Sequence, residues 1–209
     1  MAISFVKATP ADVAQFWKNI LDDPKPENAM NDNNGNLWDR AQGGGNPDIL
    51  YFAGNDKQDH TREIRQPVPP RKRLFVAVNP VIITDFEVEA EEVPDKDLAN
   101  NARKDESSAS KANLTITGPE SGEFNLIADD YSCHNDDFQV TVRPPGTLWD
   151  IPAGDHKAAA DGYYGIIERL VPGEYTMTID AQVDKPFPFK QPGEWTSKVK
   201  YKFRVVGPQ

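Results

Sequence analysis

Proline sets the limits on what this chain can fold into. Eighteen of its 209 residues are proline, about 9% against a usual ~5%. They stand singly or in pairs between short apolar runs, as at Pro67, Pro80, Pro119, Pro144 and Pro172. Proline has no backbone N–H and a fixed φ, so it breaks helix interiors and sheet centres alike. Short apolar runs between Pro, Gly, Asn and Asp predict an all-β sandwich or barrel, jelly-roll-like in type.

The runs themselves carry strand signals. ILYFAG (49–54) and LFVAVNPVIIT (74–84) are nearly continuous apolar stretches, as strands buried on both faces require. NLTIT (113–117), FNLIA (124–128), FQVTV (138–142) and YYGIIERL (163–170) add further strands. Tyr175, Met177 and Ile179 alternate with Thr176, Thr178 and Asp180, which gives that strand one dry face. Val199, Tyr201, Phe203 and Val205 alternate with Lys198, Lys200, Lys202 and Arg204. A cation row on the wet face also discourages edge-to-edge pairing.

The first twenty residues follow a different period. Thr9, Pro10 and Asp12 supply a cap, a proline at the first helical position and an acid at the third. Val13, Phe16, Trp17, Ile20 and Leu21 then fall on one helical face, and Asp22-Asp23-Pro24 ends it. We expect a helix over 10–22 that lays Trp17 on a sheet, followed by a long polar loop over 24–48 around Trp38. Within that loop, Asn31–Gly35 lacks the spacing of a calcium hand, and Gly43-Gly44-Gly45 lacks the Lys-Ser/Thr of a phosphate loop. Residues 95–110 suggest one short inserted helix. Basic residues in 57–73 and acidic residues in 85–97 invite pairing with one another. No linker divides the chain, so 1–209 reads as a single β-rich domain.

Composition narrows the function classes. Lys+Arg 23 against Asp+Glu 33 leaves a net charge of −10, which argues against a nucleic-acid partner. No apolar stretch approaches the roughly 18–20 residues of a membrane span. The opening MAISFVKATPADVAQFW has neither a basic nor an apolar leader region, so no signal peptide is expected in it. The single cysteine, Cys133, forms no internal disulfide.

In order along the chain stand FWKNILDDPKPENAMNDNNGNLWDRAQ, ILYFAG, PVPPRKRLFVAVNPVI, IPAGDHKAAADGYYGIIERLVPGEYTMTI and YKFRVV. This succession resembles a functionally uncharacterised, mostly bacterial, often secreted β-rich family. Its members carry a W…NP…D..G…Q stretch, a WFLAG strand, a PAGK-FFP strand pair and a closing PAG…ADGY…L.PG.HT hairpin. Tyr51 stands for the aromatic before FLAG, and Pro70-Arg71-Lys72 for the PAGK turn. The family's cysteines are missing, with Trp38 near one such place. The resemblance implies one β-rich domain and a secreted or cell-surface location, and it transfers no catalytic residues.

Two polar clusters are candidate sites. Asp129, Asp130, Asp136 and Asp137 crowd a segment (129–137) that also holds His134, a set of oxygens that could take Ca²⁺; a solvated turn has the same composition. Otherwise no cofactor is expected. Trp149, Asp161 and Tyr163 could line a rim, an aromatic platform with a carboxylate, for a sugar; packing and turn chemistry use the same residues. Asn113-Leu114-Thr115 is a glycosylation sequon in a eukaryotic secretory route. Cys133 and His134 are strand neighbours that point to opposite faces, so adjacency does not make a dyad. The expectation is a non-catalytic binding, surface or self-assembling module, with a glycan or a second copy as partner. The alternative is a glycoside or ester hydrolase working from the loops 129–137 and 155–163.

Overall fold

A computed structural model describes residues 3–22, 42, 45–52, 60–89, 97–106, 109–144, 150–184 and 195–207. In chain order its elements are β1 (Phe5–Lys7), α1 (Pro10–Asp22), β2 (Ile49–Phe52), β3 (His60–Glu63), β4 (Arg73–Thr84), α2 (Asp85–Glu89) and α3 (Leu98–Glu106). Then follow β5 (Ala109–Thr117), β6 (Gly122–Asn125), β7 (Asn135–Val142), β8 (Gly154–Ile167), β9 (Gly173–Val183) and β10 (Trp195–Val205).

Two mixed sheets pack face to face as an all-β sandwich. The first has the order β1-β8-β4-β2, with β7 also on β8; the second has the order β3-β10-β9-β5-β6. β8 is the axis of the first sheet. It pairs with β4 along one side, while β7 and β1 share its other side end to end. Alternate residues of β4 point to opposite faces. Leu74, Val76 and Val78 therefore enter the inter-sheet core with Met177, Tyr201, Phe203, Leu114 and Ile116. Phe75 and Ala77 join a second core beneath α1.

The helix forms where the spacing places it. Asp12 Oδ2 accepts from Thr9 N at 3.0 Å and from Thr9 Oγ1 at 2.6 Å, a capping arrangement at the start of α1. Val13, Phe16, Trp17, Ile20 and Leu21 are all buried on the outer face of the first sheet. Phe16 stacks on Phe75 with ring centroids 5.3 Å apart.

A β-bulge lets β4 serve two partners. Its register shifts between Val78 and Val81, with Asn79 at φ 52°. The extra residue keeps Val81 and Ile83 in phase with Val76 and Val78. They pack against Ala102 of α3, which extends the cover over the far end of the sheet. Opposite the bulge, Gly162 sits at φ 143°, where an added Cβ would lie 2.7 Å from the Asn79 carbonyl oxygen. Only glycine avoids both the strain and the clash.

Several expectations need correction. The segment 155–163, read as a loop, lies inside β8. Its alanines, Ala158 to Ala160, are buried on both faces, so no polar–apolar alternation announced a strand. The predicted strand 124–128 stops at Asn125, whose Oδ1 accepts from Ala128 N at 3.1 Å and turns the chain. Among the described residues the basic and acidic blocks do not pair as expected. Arg62 faces inward from β3 and donates to Tyr201 Oη at 2.5 Å, while Arg73 reaches Glu168 at 4.0 Å. Asp85 begins α2, capped by Thr84 and Glu87. The inserted helix is α3. Trp38 and most of 24–48 lie outside the described residues. No helix among the described residues is long and apolar enough to cross a membrane.

Candidate functional site

The acidic segment divides into two places. Asp129 and Asp130 ride the turn after β6, and Asp136 and Asp137 open β7. Lys7 stands 3.7 Å from Asp130, and Ser132 Oγ donates to the same carboxylate at 3.3 Å. Arg103 of α3 holds Asp136 at 2.5 Å. Asn135 anchors the segment to the helix start by donating to the Pro10 carbonyl at 2.9 Å. Two of the four acids thus already have a cation from the protein, and no three His, Cys, Asp or Glu groups among the described residues converge for a metal ion.

The rim expected from Asp161 and Tyr163 is not a surface. Asp161 is 5% exposed and Tyr163 is 7% exposed, inside the sandwich. Asp161 Oδ1 accepts from Gly162 N at 2.8 Å, and its backbone carbonyl accepts from Tyr164 Oη at 2.9 Å. Strand β8 carries both residues into the core, so neither offers a face on which a sugar could stack. Trp149 lies outside the described residues.

Cys133 and His134 do point apart, the thiol buried under α1 and the imidazole exposed. Burial pushes the Cys133 thiol above its ordinary value; Lys7 counteracts this, and Asp161 and Asp12 add to it. A thiol so placed is a poor nucleophile.

Among the described residues His156 is the histidine with a carboxylate partner in reach. Its Nδ1 lies 2.9 Å from Asp85 Oδ1, and Lys157 N donates to Asp85 Oδ2 at 3.0 Å. The other ring nitrogen, Nε2, meets the Pro152 carbonyl at 3.0 Å. A relay to a nucleophile would need a hydroxyl or thiol there. The arrangement instead fastens the β7–β8 connection to α2.

A different surface emerges on the outer face of the second sheet. Register aligns Lys198, Asp180, Asn113 and Asn125 in one row across β10, β9, β5 and β6. The next row holds Lys200, Thr178, Thr115 and Glu123, with Thr61 of β3 beside Lys200. Lys111 Nζ donates to Asp180 Oδ2 at 2.7 Å, and Lys198 approaches the same oxygen at 3.7 Å. At one side lies a hollow of about 270 Å³ lined by Ser110, Lys111, Asn113, Asn125, Ile127 and Ala128. Its walls combine two carboxamides, a hydroxyl and an ammonium with a short apolar strip. Sequence reasoning saw only a wet face here, because the row exists through the pairing of β5 with β9, which joins two antiparallel strand pairs far apart in the chain. The one signal was polar residues at every second position of β9 and β10.

Compared with protein-family models, curated proteins and solved structures, the chain matches none.

Proposed function

We propose that this protein is a non-catalytic binding module that takes a carbohydrate on the outer face of the second sheet. The observation that carries the reading is the hollow lined by Asn113, Asn125, Lys111 and Ser110, with Ile127 and Ala128 as its apolar side. A sugar ring offers hydroxyls around its rim and C–H groups on its faces. A few placed polar groups beside apolar surface suit such a ligand. Asn113 and Asn125 are direct cross-strand partners, so their side chains stand roughly 5 Å apart, within reach of one ring.

Charge supports a neutral sugar over a polyanion. The cations of the face are largely offset by neighbouring carboxylates, as in Lys111–Asp180 and Lys202–Glu63. Among the described residues the only large apolar side chain that is exposed is Val6, which favours a polar ligand over an apolar partner. The resemblance to a secreted β-rich family enters here as a proposal too, and it would place the module where polysaccharide is at hand. The hydrolase alternative draws no support from His156, whose second nitrogen is occupied, or from Cys133, whose thiol is buried.

The test is a glycan-array screen followed by calorimetric titration of the best neutral oligosaccharide. Asn113→Ala/Asn125→Ala should weaken binding about tenfold or more, through the loss of at least two hydrogen bonds, with the circular dichroism unchanged. A wild-type protein that binds no glycan contradicts the reading, as does a double variant with undiminished affinity.

A further inference from the structure

The outer edge of β2 is closed by a side chain. Among the described residues β2 is the last strand of the first sheet, and it pairs in parallel with β4 through Ile49↔Arg73, Leu50↔Leu74, Tyr51↔Phe75 and Phe52↔Val76. In a parallel pair, alternate residues turn both their N–H and their C=O away from the partner. Tyr51 is such a residue. Its N–H donates to Gln42 Oε1 at 2.7 Å, and its carbonyl accepts from Gln42 Nε2 at 2.7 Å. A carboxamide has the same donor and acceptor as a peptide unit, so Gln42 makes both bonds that a residue of a neighbouring strand would make. Two residues earlier, the N–H of Ile49 donates to the Asn46 carbonyl at 3.0 Å. The segment just before β2 thus covers its edge at both outward-facing positions.

We infer that the Tyr51 edge is a strand-pairing site held shut by Gln42, and that its occupant when Gln42 is removed is the β2 edge of a second copy of this chain. The strand Ile49-Leu50-Tyr51-Phe52 has no charge, proline or glycine, the composition that pairs with itself when an edge is open. A two-fold axis beside Tyr51 supplies the needed geometry. Each Tyr51 N–H then meets the carbonyl of the other copy's Tyr51, the closed pair of an antiparallel ladder, and the two Gln42 bonds are replaced one for one. The side chains of Tyr51 and Phe52 do not oppose the approach, since Tyr51 turns into the core under α1 and Phe52 into the inter-sheet core. This inference is independent of the carbohydrate reading, which concerns the other sheet.

The test is sedimentation velocity on the full chain at several concentrations, with amide hydrogen exchange at Tyr51. Wild-type protein should sediment as one species at every concentration, with the Tyr51 amide protected. Gln42→Ala should gain mass as concentration rises. Its Tyr51 amide should exchange about tenfold faster when dilute and recover protection when concentrated. Gln42→Glu keeps one acceptor and sets a carboxylate against the Tyr51 carbonyl, so it should show the same pattern more weakly and serves if the alanine variant does not fold. A Gln42 variant that is folded and monomeric throughout overturns the inference. Wild-type protein that already self-associates does so too, because the edge would then not be shut.

Discussion

The indole N–H of Trp17 donates to the hydroxyl of Tyr164 at 3.2 Å, and that hydroxyl donates in turn to the Asp161 carbonyl at 2.9 Å. The relay runs from the middle of α1 to the central strand of the first sheet, entirely out of water. It fixes how far along the sheet the helix sits, which apolar contact alone would leave adjustable. Trp17→Ala should cost about 3–5 kcal/mol, as truncation of a buried aromatic does. Trp17→Phe keeps most of the packing and loses the donor, so about 1–2 kcal/mol is expected. Urea unfolding of both variants checks the order. A Trp17→Phe cost of zero would mean that the hydrogen bond contributes nothing.

A second prediction concerns alkaline pH. Burial raises Tyr51 from 10.0 to about 12, with Asp12 adding to the shift and Arg73 opposing it. Tyr164 and Tyr175 are raised as well, and so is the Cys133 thiol from 9.0, burial being the largest cause in each. All four are acids that hold their proton more tightly folded than unfolded. Their contribution is complete below the unfolded values of 9.0 and 10.0 and is lost as pH climbs through the folded ones. Unfolding free energy should therefore fall from about pH 9 upward and keep falling towards about 12. Midpoints in urea measured across that window test it, and a flat profile contradicts it.

Tyr175 closes the turn between β8 and β9. Its hydroxyl donates to the Val171 carbonyl at 3.1 Å across Pro172-Gly173, and buried Glu120 accepts from Val171 N at 3.1 Å. A tyrosine bonded back to the chain a few residues upstream is a recurrent corner in β-sandwiches. Tyr175→Phe should cost about 1 kcal/mol, read from thermal unfolding. A gain in stability would show the hydroxyl to be dispensable.

Calcium provides a fourth check. Lys7 and Arg103 already stand on Asp130 and Asp136. Millimolar calcium should accordingly leave the melting temperature within error, and a chelator should not lower it. A calcium-dependent rise would restore the acidic segment as a metal site.

What the sequence discloses depends on whether a residue's surroundings are local. α1 is legible because its cap, its stripe and its stop lie within one short stretch. β9 and β10 are legible because one face is wet, so alternation survives. β8 is hidden. Both its faces are covered, its middle is alanine, and Gly162 looks like a turn until the bulge at Asn79 appears opposite. Arg62 misleads in the other direction, a cation that suggests solvent and enters the core under the Tyr201 ring, 5.4 Å from its centroid. The candidate site is the least legible of all. Lys111, Asn113 and Asn125 are ordinary polar residues until strand register sets them around one hollow. Asp161 and Tyr163, singled out by residue type, lie buried in β8.

Amide chemical-shift mapping reads directly where on the protein a sugar binds. With the best-binding neutral oligosaccharide added to isotopically labelled protein, shifts should concentrate at Lys111, Asn113, Asn125 and Ala128 and spread along β9 to Thr178 and Asp180. Shifts centred on Asp85, His156 and Pro152 would contradict the account by moving ligand to the carboxylate–histidine pair, and the absence of any shift at millimolar sugar would contradict it outright.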